Sequence, residues 1–420
     1  MRMSRRSFSA LPLSVALTGL PLAAAPAASA ATTDPTVEEQ RLDRAAPQEI
    51  LLRSGFGTAV AEFAAALSAS RSLPAAEGVV GRHGGRLWRK AVDRAQGRGP
   101  AEGDLSPDDD RPLYWARLGM TRELRAWEPS FGLADTARTA LLDRLERTSR
   151  GQDSVRLPAG RDIGRILLTG FDPFQLDIDV RRSNPSGALA LALDGVTVET
   201  ASGPARIETV VFPVRWTDFT AGTVERTLHP YFRPGPRQVD LFVTVSQGRV
   251  GRIDVERFNG AWRGGYPDNE NLSVTGLVPV PYASAQPQWT STTLPYEAVL
   301  AAGTGPFPVY DHTSVTEIPA GATDPVTSDT GPTPGSTARA GGGGNYLSNE
   351  IAYRATLLRD ELGADLPGGH VHTPVLQFGD GNTDPATGTV TDPVFVANRL
   401  AITAQIRAIV IAAANAAALR

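Results

Sequence analysis

The sequence predicts an α/β protein: a three-layer α/β/α domain with a mostly parallel twisted sheet, preceded by an all-α N-terminal region. Two observations lead to this fold class. Short apolar runs that end in glycine-containing loops alternate with helical patterns after residue 161, as in α/β sheets. Before that point, the apolar spacing from Val37 to Arg150 is typical of amphipathic helices.

Residues 1–30 have the pattern of an export signal. Ser4-Arg5-Arg6-Ser7-Phe8 resembles a twin-arginine signal, and an ordinary secretory signal is the alternative. The apolar run Ala10–Ala28 and the small residues Ala28-Ser29-Ala30 follow, as at a cleavage site. Cleavage lowers the formal net charge from −4 to −7. We expect a secreted protein, extracellular or in the periplasm or cell-wall space, with no membrane contact after cleavage.

Residues 31–160 form the predicted helical N-terminal region. Ala59–Ala69 is alanine-rich with helical apolar spacing, and Asp135–Arg147 carries a stripe of leucines. Gly97–Pro112 between them is a loop by composition. No pattern in this region indicates a chemical role.

Residues 161–420 form the predicted α/β domain, with an enlarged irregular insertion at about 270–344. Ligands of such sheets bind beyond the carboxyl ends of the strands, which directs attention to the loops 169–175, 247–257 and 370–374. The predicted strands are 165–170, 207–214, 240–246 and 371–376, and the predicted helices are 184–193 and 398–419.

Composition excludes several chemistries. The chain has no cysteine, which excludes disulfides, thiolate metal sites and a thiol nucleophile. Its only lysine is Lys90, and its net charge of −4 argues against nucleic-acid binding. His370 and His372 would share one face of a strand, but no further ligands stand at a suggestive spacing. We therefore expect no metal and no cofactor.

Gly343-Gly344-Asn345-Tyr346-Leu347-Ser348 places a serine where a glycine-rich turn enters a helix. Backbone N–H groups at a helix start can stabilise an oxyanion, and a serine there with a histidine and a carboxylate would make a hydrolase. A serine near a helix start is also a common capping residue, so the residues alone leave both interpretations open.

Four segments, in order, resemble pyroglutamyl peptidase type I, the pyrrolidone-carboxylate peptidase family. Together they span most of residues 161–420. The fourth follows the third at the family's spacing of 24 residues between nucleophile and histidine. The segments are Thr169-Gly170-Phe171-Asp172-Pro173-Phe174 with Asn184-Pro185-Ser186, Ile253-Asp254-Val255-Glu256-Arg257 with Pro267-Asp268-Asn269, Tyr346-Leu347-Ser348-Asn349, and Val371-His372-Thr373-Pro374.

The resemblance implies removal of an N-terminal pyroglutamyl residue from a peptide through an acyl-enzyme, without a cofactor. It places Ser348 at the nucleophile position, His372 as base and then acid, and Glu256 as the residue that orients the histidine. The partner it implies is a peptide with a blocked N-terminus. It further implies a substrate pocket at Phe171, Phe174, Gln247 and Asn184, and an oxyanion turn at Gly344, Asn345 and Asn349.

The chain departs from the family at three positions. Ser348 replaces the family's cysteine, and a hydroxyl is much harder to ionise than a thiol. Gly265 replaces an arginine, for which Arg263 is the nearest substitute, and Gln175 stands where glycine is common. One alternative is an inactive protein on the same fold that binds pyroglutamyl peptides. Another is an interaction protein that works through its helical region and long insertion.

Overall fold

The computed structural model of the chain describes residues 33–99, 102–160, 162–281 and 283–419. The predicted signal peptide, residues 1–30, lies outside these residues. The described part begins with an all-helical segment, and an α/β domain follows whose seven-stranded sheet carries helices on both faces. The predicted fold class is confirmed.

Helices precede the first strand and then alternate with strands. The N-terminal helices are α1 (Val37–Gln40), α2 (Ala45–Ser54), α3 (Gly57–Ser68), α4 (Leu73–Ala95), α5 (Arg111–Ala126) and α6 (Asp135–Thr148). The later helices are α7 (Pro185–Leu193), α8 (Trp216–Thr220), α9 (Thr223–Phe232), α10 (Tyr296–Ala301), α11 (Leu347–Glu361) and α12 (Pro393–Ala417).

Strands of the α/β domain form one large sheet and three small ones. The strands are β1 (Gly164–Phe171), β2 (Val196–Thr200), β3 (Gly203–Phe212), β4 (Leu241–Gln247), β5 (Ile253–Glu256), β6 (Phe258–Gly260), β7 (Trp262–Pro267), β8 (Ser273–Leu277), β9 (Trp289–Ser291), β10 (Val309–His312), β11 (Val315–Ile318), β12 (Val326–Ser328), β13 (Thr337–Ala340) and β14 (Gly368–Thr373).

The large sheet has the strand order β10-β5-β14-β4-β1-β3-β2. Its neighbours run parallel except for the pairs β5–β14 and β2–β3. Every residue of β1 is buried, which explains its apolar sequence, because a central strand has both faces covered. Ile166 and Leu168 pack on the side of α7 and α12, whereas Leu167 packs on the side of α9 and α11. The sheet is therefore the middle of three layers.

Helix α12 is long and apolar enough to cross a membrane by length and composition alone. In the fold, its residues Phe395, Ile402, Ile406 and Ile409 are buried in the core that contains Ile166. Its apolar composition is thus accounted for by packing against the sheet.

Strand β14 begins at Gly368, three residues before the predicted strand at 371–376, and ends before Pro374. The missed start is glycine-rich because the strand lies close to its neighbour. A Cβ at Gly368 would lie 2.1 Å from the ring of Phe242 on β4. Close packing therefore requires glycine at the start of β14, where β-branched residues would otherwise have indicated a strand in the sequence.

The segment 270–344, expected to be irregular, contains short strands. Strand β10 adds to the edge of the large sheet beside β5, and β11 pairs with both β12 and β13. These strands have three or four residues among proline, glycine and threonine, too few to show a period of two. The consequence for the site is that His312, the last residue of β10, lies opposite Glu256.

A buried ion cluster joins the helical N-terminal segment to the α/β domain. Asp172, in the loop after β1, accepts a hydrogen bond from Arg117 of α5 at 2.5 Å, and it also pairs with Arg150. The side chains of all three residues are almost completely buried. Since unpaired charges are costly in a protein interior, this cluster fixes the loop to the helices.

A second buried carboxylate, that of Glu38 in α1, lies at the same interface. It accepts hydrogen bonds from Tyr114 at 2.8 Å and from Asn269 at 2.9 Å, and it faces Arg215 at 3.2 Å. Burial raises the pKa of Glu38 to about 7, although the charge of Arg215 acts in the opposite direction. The proton occupancy of Glu38 therefore changes near neutral pH.

We expect Asp172→Asn to lower the free energy of unfolding by about 3–5 kcal/mol, because Glu146 would be left as the one carboxylate within 4 Å of the buried Arg117 and Arg150 among the described residues. Denaturant unfolding at neutral pH measures this. Asp143→Asn is the matched control, since its pair with Arg147 is exposed and contributes about 0.5 kcal/mol or less. Equal losses in the two variants would show that the Asp172 cluster does not hold the domains together.

We expect the free energy of unfolding to fall less between pH 5 and pH 8 in Glu38→Gln than in the unaltered protein. The pKa of Glu38 is raised in the folded state, so its protonation stabilises the fold fully below about 4.5, and this stabilisation is lost as the pH rises through 7. The effect is on the order of 3 kcal/mol. Thermal unfolding of both proteins at each pH measures it, and parallel pH curves would contradict it.

Candidate active site

A buried glutamate and a histidine from adjacent antiparallel strands form the centre of the site. His372 Nδ1 lies 2.6 Å from Oε1 of Glu256, the last residue of β5. An ionised carboxylate only accepts hydrogen bonds, so Nδ1 of His372 carries the proton that is donated. In the neutral ring, Nε2 is then unprotonated and can accept a proton from another group. This is the tautomer that a general base needs.

Glu256 receives a second histidine. His312 Nδ1 lies 2.6 Å from Oε2 of Glu256, and the glutamate side chain is fully buried. Burial by itself would raise the pKa of Glu256, but the hydrogen bonds from His312 and His372 outweigh burial and hold the pKa well below its usual range. The carboxylate is therefore an anion at neutral pH.

His370 and His372 share one face of β14, as their spacing predicts, and their rings lie 4.7 Å apart. Both ring nitrogens of His370 have partners, Thr244 Oγ1 at 2.8 Å and Ser246 Oγ at 2.9 Å. Burial holds the pKa of His370 well below its usual value, so the ring is neutral. His370 therefore packs beneath His372 without repelling a charge on it.

The glycine run before α11 allows the helix to approach this pair. A Cβ at Gly342 would lie 2.1 Å from Glu256 Oε2, and one at Gly343 would lie 3.3 Å from His372 Cε1. A Cβ at Gly341 would lie 2.2 Å from the side chain of Asn349. Close approach of the backbone thus explains the run, which has no phosphate-binding sequence.

Ser348 is the second residue of α11. Its hydroxyl donates a hydrogen bond to the carbonyl oxygen of Gly343 at 3.0 Å, and among the described residues no hydrogen bond joins it to His372. The backbone N–H groups of Ser348 and Asn349 donate to no acceptor in the described part of the chain. They are free to bind an oxyanion at the positive end of the helix. The Ser348 hydroxyl proton is thus directed to Gly343 and not to His372 in this structure.

A cavity of about 60 Å³ opens beside Ser348. This volume admits a small group and excludes a long side chain. Phe171 forms its buried wall against Phe219, with ring centroids 6.1 Å apart, and Phe174 packs against Tyr346 at 6.3 Å. The lining residues are Phe171, Phe174, Asn184, Val214, Ser246, Gln247, Tyr346, Leu347 and Ser348.

The side chains of two predicted site residues, Asn184 and Asn349, make hydrogen bonds to backbone groups. Asn184 caps α7 by accepting from Ser186 N, and its amide donates to Asp172 O at 2.9 Å. Asn349 is fully buried and holds Gly260, accepting from its N–H at 2.9 Å and donating to its carbonyl at 2.7 Å. Asn184 therefore shapes the cavity wall. The Asn349 side chain is therefore engaged by Gly260, which leaves only the backbone N–H of Asn349 for the predicted oxyanion turn.

The turn residues Gly344 and Asn345 lead the chain into α11. Gly344 has a φ of +81°, which glycine adopts without strain. The carbonyl of Asn345 accepts from Gly264 N at 2.8 Å, which ties the turn to β7. Within the described part of the chain, the Asn345 side chain makes no hydrogen bond to Ser348.

The family departures have visible consequences. Arg263 makes two hydrogen bonds of 2.6 Å with Glu350 and is thereby held away from the cavity. It does not replace the arginine lost at Gly265. Gln175 adopts a φ of +59°, the left-handed conformation in which glycine is favoured.

Sequence reasoning missed His312 and Tyr346 as site residues. A lone histidine in a proline- and glycine-rich segment carries no periodic signal. Tyr346 is the first residue of the Tyr-Leu-Ser-Asn segment, so its position two residues before Ser348 could have predicted that it lies near the site. Its ring packs between Phe174, Trp216 and Tyr266.

Two family models match the chain. The PA0049 N-terminal domain matches residues 22–146, and the PA0049 C-terminal domain matches residues 165–281 and 307–377. The uncharacterized protein PA0049 of Pseudomonas aeruginosa is 37% identical over 435 aligned residues, which cover 81% of this chain and 78% of that protein.

Peptidases are found among solved structures of similar shape. A mutant pyrrolidone carboxyl peptidase from Pyrococcus furiosus gives a TM-score of 0.40 at 21% identity, covering 59% of this chain and 98% of that one. Pyroglutamyl peptidase I of Bacillus amyloliquefaciens gives 0.39 at 22% identity, covering 61% and 97%.

We expect Gly342→Ala to destabilise the protein by about 1–3 kcal/mol, because its Cβ would displace the buried Glu256 carboxylate. Denaturant unfolding measures the loss. Gly381→Ala is the matched control, since a Cβ there meets no atom within 4 Å. If the two variants unfold at the same denaturant concentration, the close approach at Gly342 is not a constraint.

Proposed function

The chain belongs to the PA0049 family, and we propose that this member is a secreted hydrolase that removes the N-terminal pyroglutamyl residue from peptides. Two observations carry the proposal. Ser348 lines a small aromatic cavity and donates a hydrogen bond to the carbonyl of Gly343. A Cβ at Gly343 would lie 3.3 Å from Cε1 of His372, the ring that Glu256 holds through Nδ1. The four segments that resemble pyroglutamyl peptidase type I supply the substrate class.

In the proposed reaction, Ser348 Oγ attacks the carbonyl carbon that joins the pyroglutamyl group to the peptide. His372 Nε2 takes the hydroxyl proton, and the developing imidazolium is stabilised by the Glu256 anion. The oxyanion accepts hydrogen bonds from the N–H groups of Ser348 and Asn349. His372 then returns the proton to the leaving amine as the C–N bond breaks, and water hydrolyses the acyl-enzyme by the same route.

The cavity suits a flat, uncharged lactam. The rings of Phe171 and Phe174 offer apolar faces on which such a ring can be buried. Gln247 at the end of β4 supplies a polar side chain at the same cavity and accepts a hydrogen bond from Leu376 N at 3.4 Å. Small apolar sites with a few placed polar groups select by shape as well as by hydrogen bonding.

A serine nucleophile fits the proposed location outside the cytoplasm. Oxidants there convert an activated thiolate to sulfinic and sulfonic acids, whereas a hydroxyl is inert. The exchange gives up nucleophilicity, so the reaction depends more strongly on His372 as base than a thiolate enzyme would.

One observation favours a second candidate, a protein that binds pyroglutamyl peptides without cleaving them. The Ser348 hydroxyl donates to Gly343, so no hydrogen bond leads from it to His372 among the described residues. Arg263 is paired with Glu350, so its positive charge is not offered to the cavity. Binding would use the same cavity and would not require His372.

We expect the secreted chain, residues 31–420, to release the chromophore from a pyroglutamyl amide. Ser348→Ala and His372→Ala should each lower kcat by about 1,000-fold or more, as for members of a catalytic triad. Ser202→Ala, in the exposed turn between β2 and β3, is the matched control and should retain the rate.

Calorimetry with a pyroglutamyl peptide separates the two candidates. Binding without turnover, unchanged in His372→Ala, would support the binding protein and contradict the peptidase. Absence of both turnover and binding would contradict both functions.

A further inference from the structure

The proposed triad leaves one hydrogen bond of its carboxylate unexplained. Glu256 Oε1 accepts from His372, while Oε2 accepts from His312 at the same distance of 2.6 Å. In the described part of the chain, Oε2 accepts no other hydrogen bond. His312 is thus the partner that prevents this fully buried oxygen from being left unsatisfied.

The pairing of β10 with β5 sets the position of His312 beside Glu256. Strand β10 comes from the long segment after β9 and adds in parallel to the edge of the sheet, so that Val309, Tyr310, Asp311 and His312 lie beside Ile253, Asp254, Val255 and Glu256. The N–H of Arg257 donates to His312 O at 3.0 Å and fixes the end of this register. On the other side of the imidazole lies Gly342, where an added Cβ would be 3.3 Å from His312 Nδ1.

A carboxylate held by one hydrogen bond can rotate about its Cγ–Cδ bond. Two donors on its two oxygens define its plane, because each Nδ1–H has to lie near the direction of a lone pair. With His312 in place, the remaining oxygen is directed to His372, which keeps that imidazole in the tautomer with Nε2 unprotonated. Partners of this kind are worth about 10–100-fold in activity when they orient a catalytic or metal-bound histidine.

We propose that His312 is a positioning residue of this site, a second histidine that holds the Glu256 carboxylate so that Glu256 can orient His372. The proposal rests on the proposed function and deepens it. It requires that His312 act through Glu256 and not through the substrate, because His312 Nδ1 is already engaged by Glu256 Oε2.

The test compares His312→Phe with His312→Asn in the secreted chain. Phenylalanine removes the donor, whereas the amide of asparagine can donate from nearly the same place as Nδ1. We expect His312→Phe to lower kcat on a pyroglutamyl amide by about 10–100-fold with KM changed less than about threefold, and His312→Asn to recover most of the loss. Tyr310→Phe, in the same strand, is the matched control, since Tyr310 is exposed and phenylalanine keeps the ring that packs on Arg252.

A spectroscopic readout separates this proposal from the proposed function. Imidazole protons that are hydrogen-bonded to a buried carboxylate give low-field proton resonances, and we expect one from His372 and one from His312. His312→Phe should remove its own signal and shift or broaden that of His372, whether or not the protein turns over the substrate. Tyr310→Phe should leave both signals in place.

Three results would overturn the role of His312. The first is an unshifted His372 signal in His312→Phe, and the second is a kcat that His312→Phe leaves unchanged in an active protein. The third is an equal loss in His312→Asn and His312→Phe, which would assign the effect to packing. A wild-type chain without turnover would contradict the proposed function alone, and the resonance shift would then decide the role of His312.

Discussion

The paired buried charges of Asp172, Arg117 and Arg150 are the interaction on which the rest of the molecule depends. They join the helical N-terminal segment to the loop that carries Phe171 and Phe174 on either side of Asp172. Because removing one partner would leave the others charged in the interior, the loop and the helices form together. The helical region, to which the sequence assigns no chemistry, thereby shapes the cavity wall beside Ser348.

The anion of Glu256 imposes the second constraint. Burial raises the pKa of Glu256, and the hydrogen bonds and charge interactions of His312 and His372 reverse that effect. In the proposed triad, each member depends on the one buried beneath it. The carboxylate accepts from both histidines, the carboxylate defines the tautomer of His372, and the proposed role of Ser348 requires an unprotonated Nε2 on His372. Glycines 341–343 follow from the same crowding, because a Cβ there would collide with Asn349 or Glu256 or press against His372, whereas Gly344 is required by its positive φ.

Strands β1, β3 and β4 of the large sheet could be predicted because each contains a buried apolar run, at 166–168, 210–212 and 241–243. The start of β14 could not be predicted, since Gly368 and Gly369 serve close packing and carry no strand signal. Strands β10 to β13 were missed because short edge strands in a segment rich in proline and glycine lack periodicity. Among the candidate site residues, Ser348, His372 and Glu256 were predicted from the resemblance of four ordered segments, while single-residue patterns left each of them open.

The sequence by itself determined the α/β class and its helical N-terminal region, because hydrophobic periodicity depends only on neighbours along the chain. It also determined which residue types are available, above all a serine in a chain without cysteine. Only the tertiary structure decided that Asn184 and Asn349 hold backbone, that Arg263 is held by Glu350, and that His312 shares a carboxylate with His372. The reason is physical: hydrogen bonds between residues 56 or 116 positions apart depend on strand register, which distant packing sets.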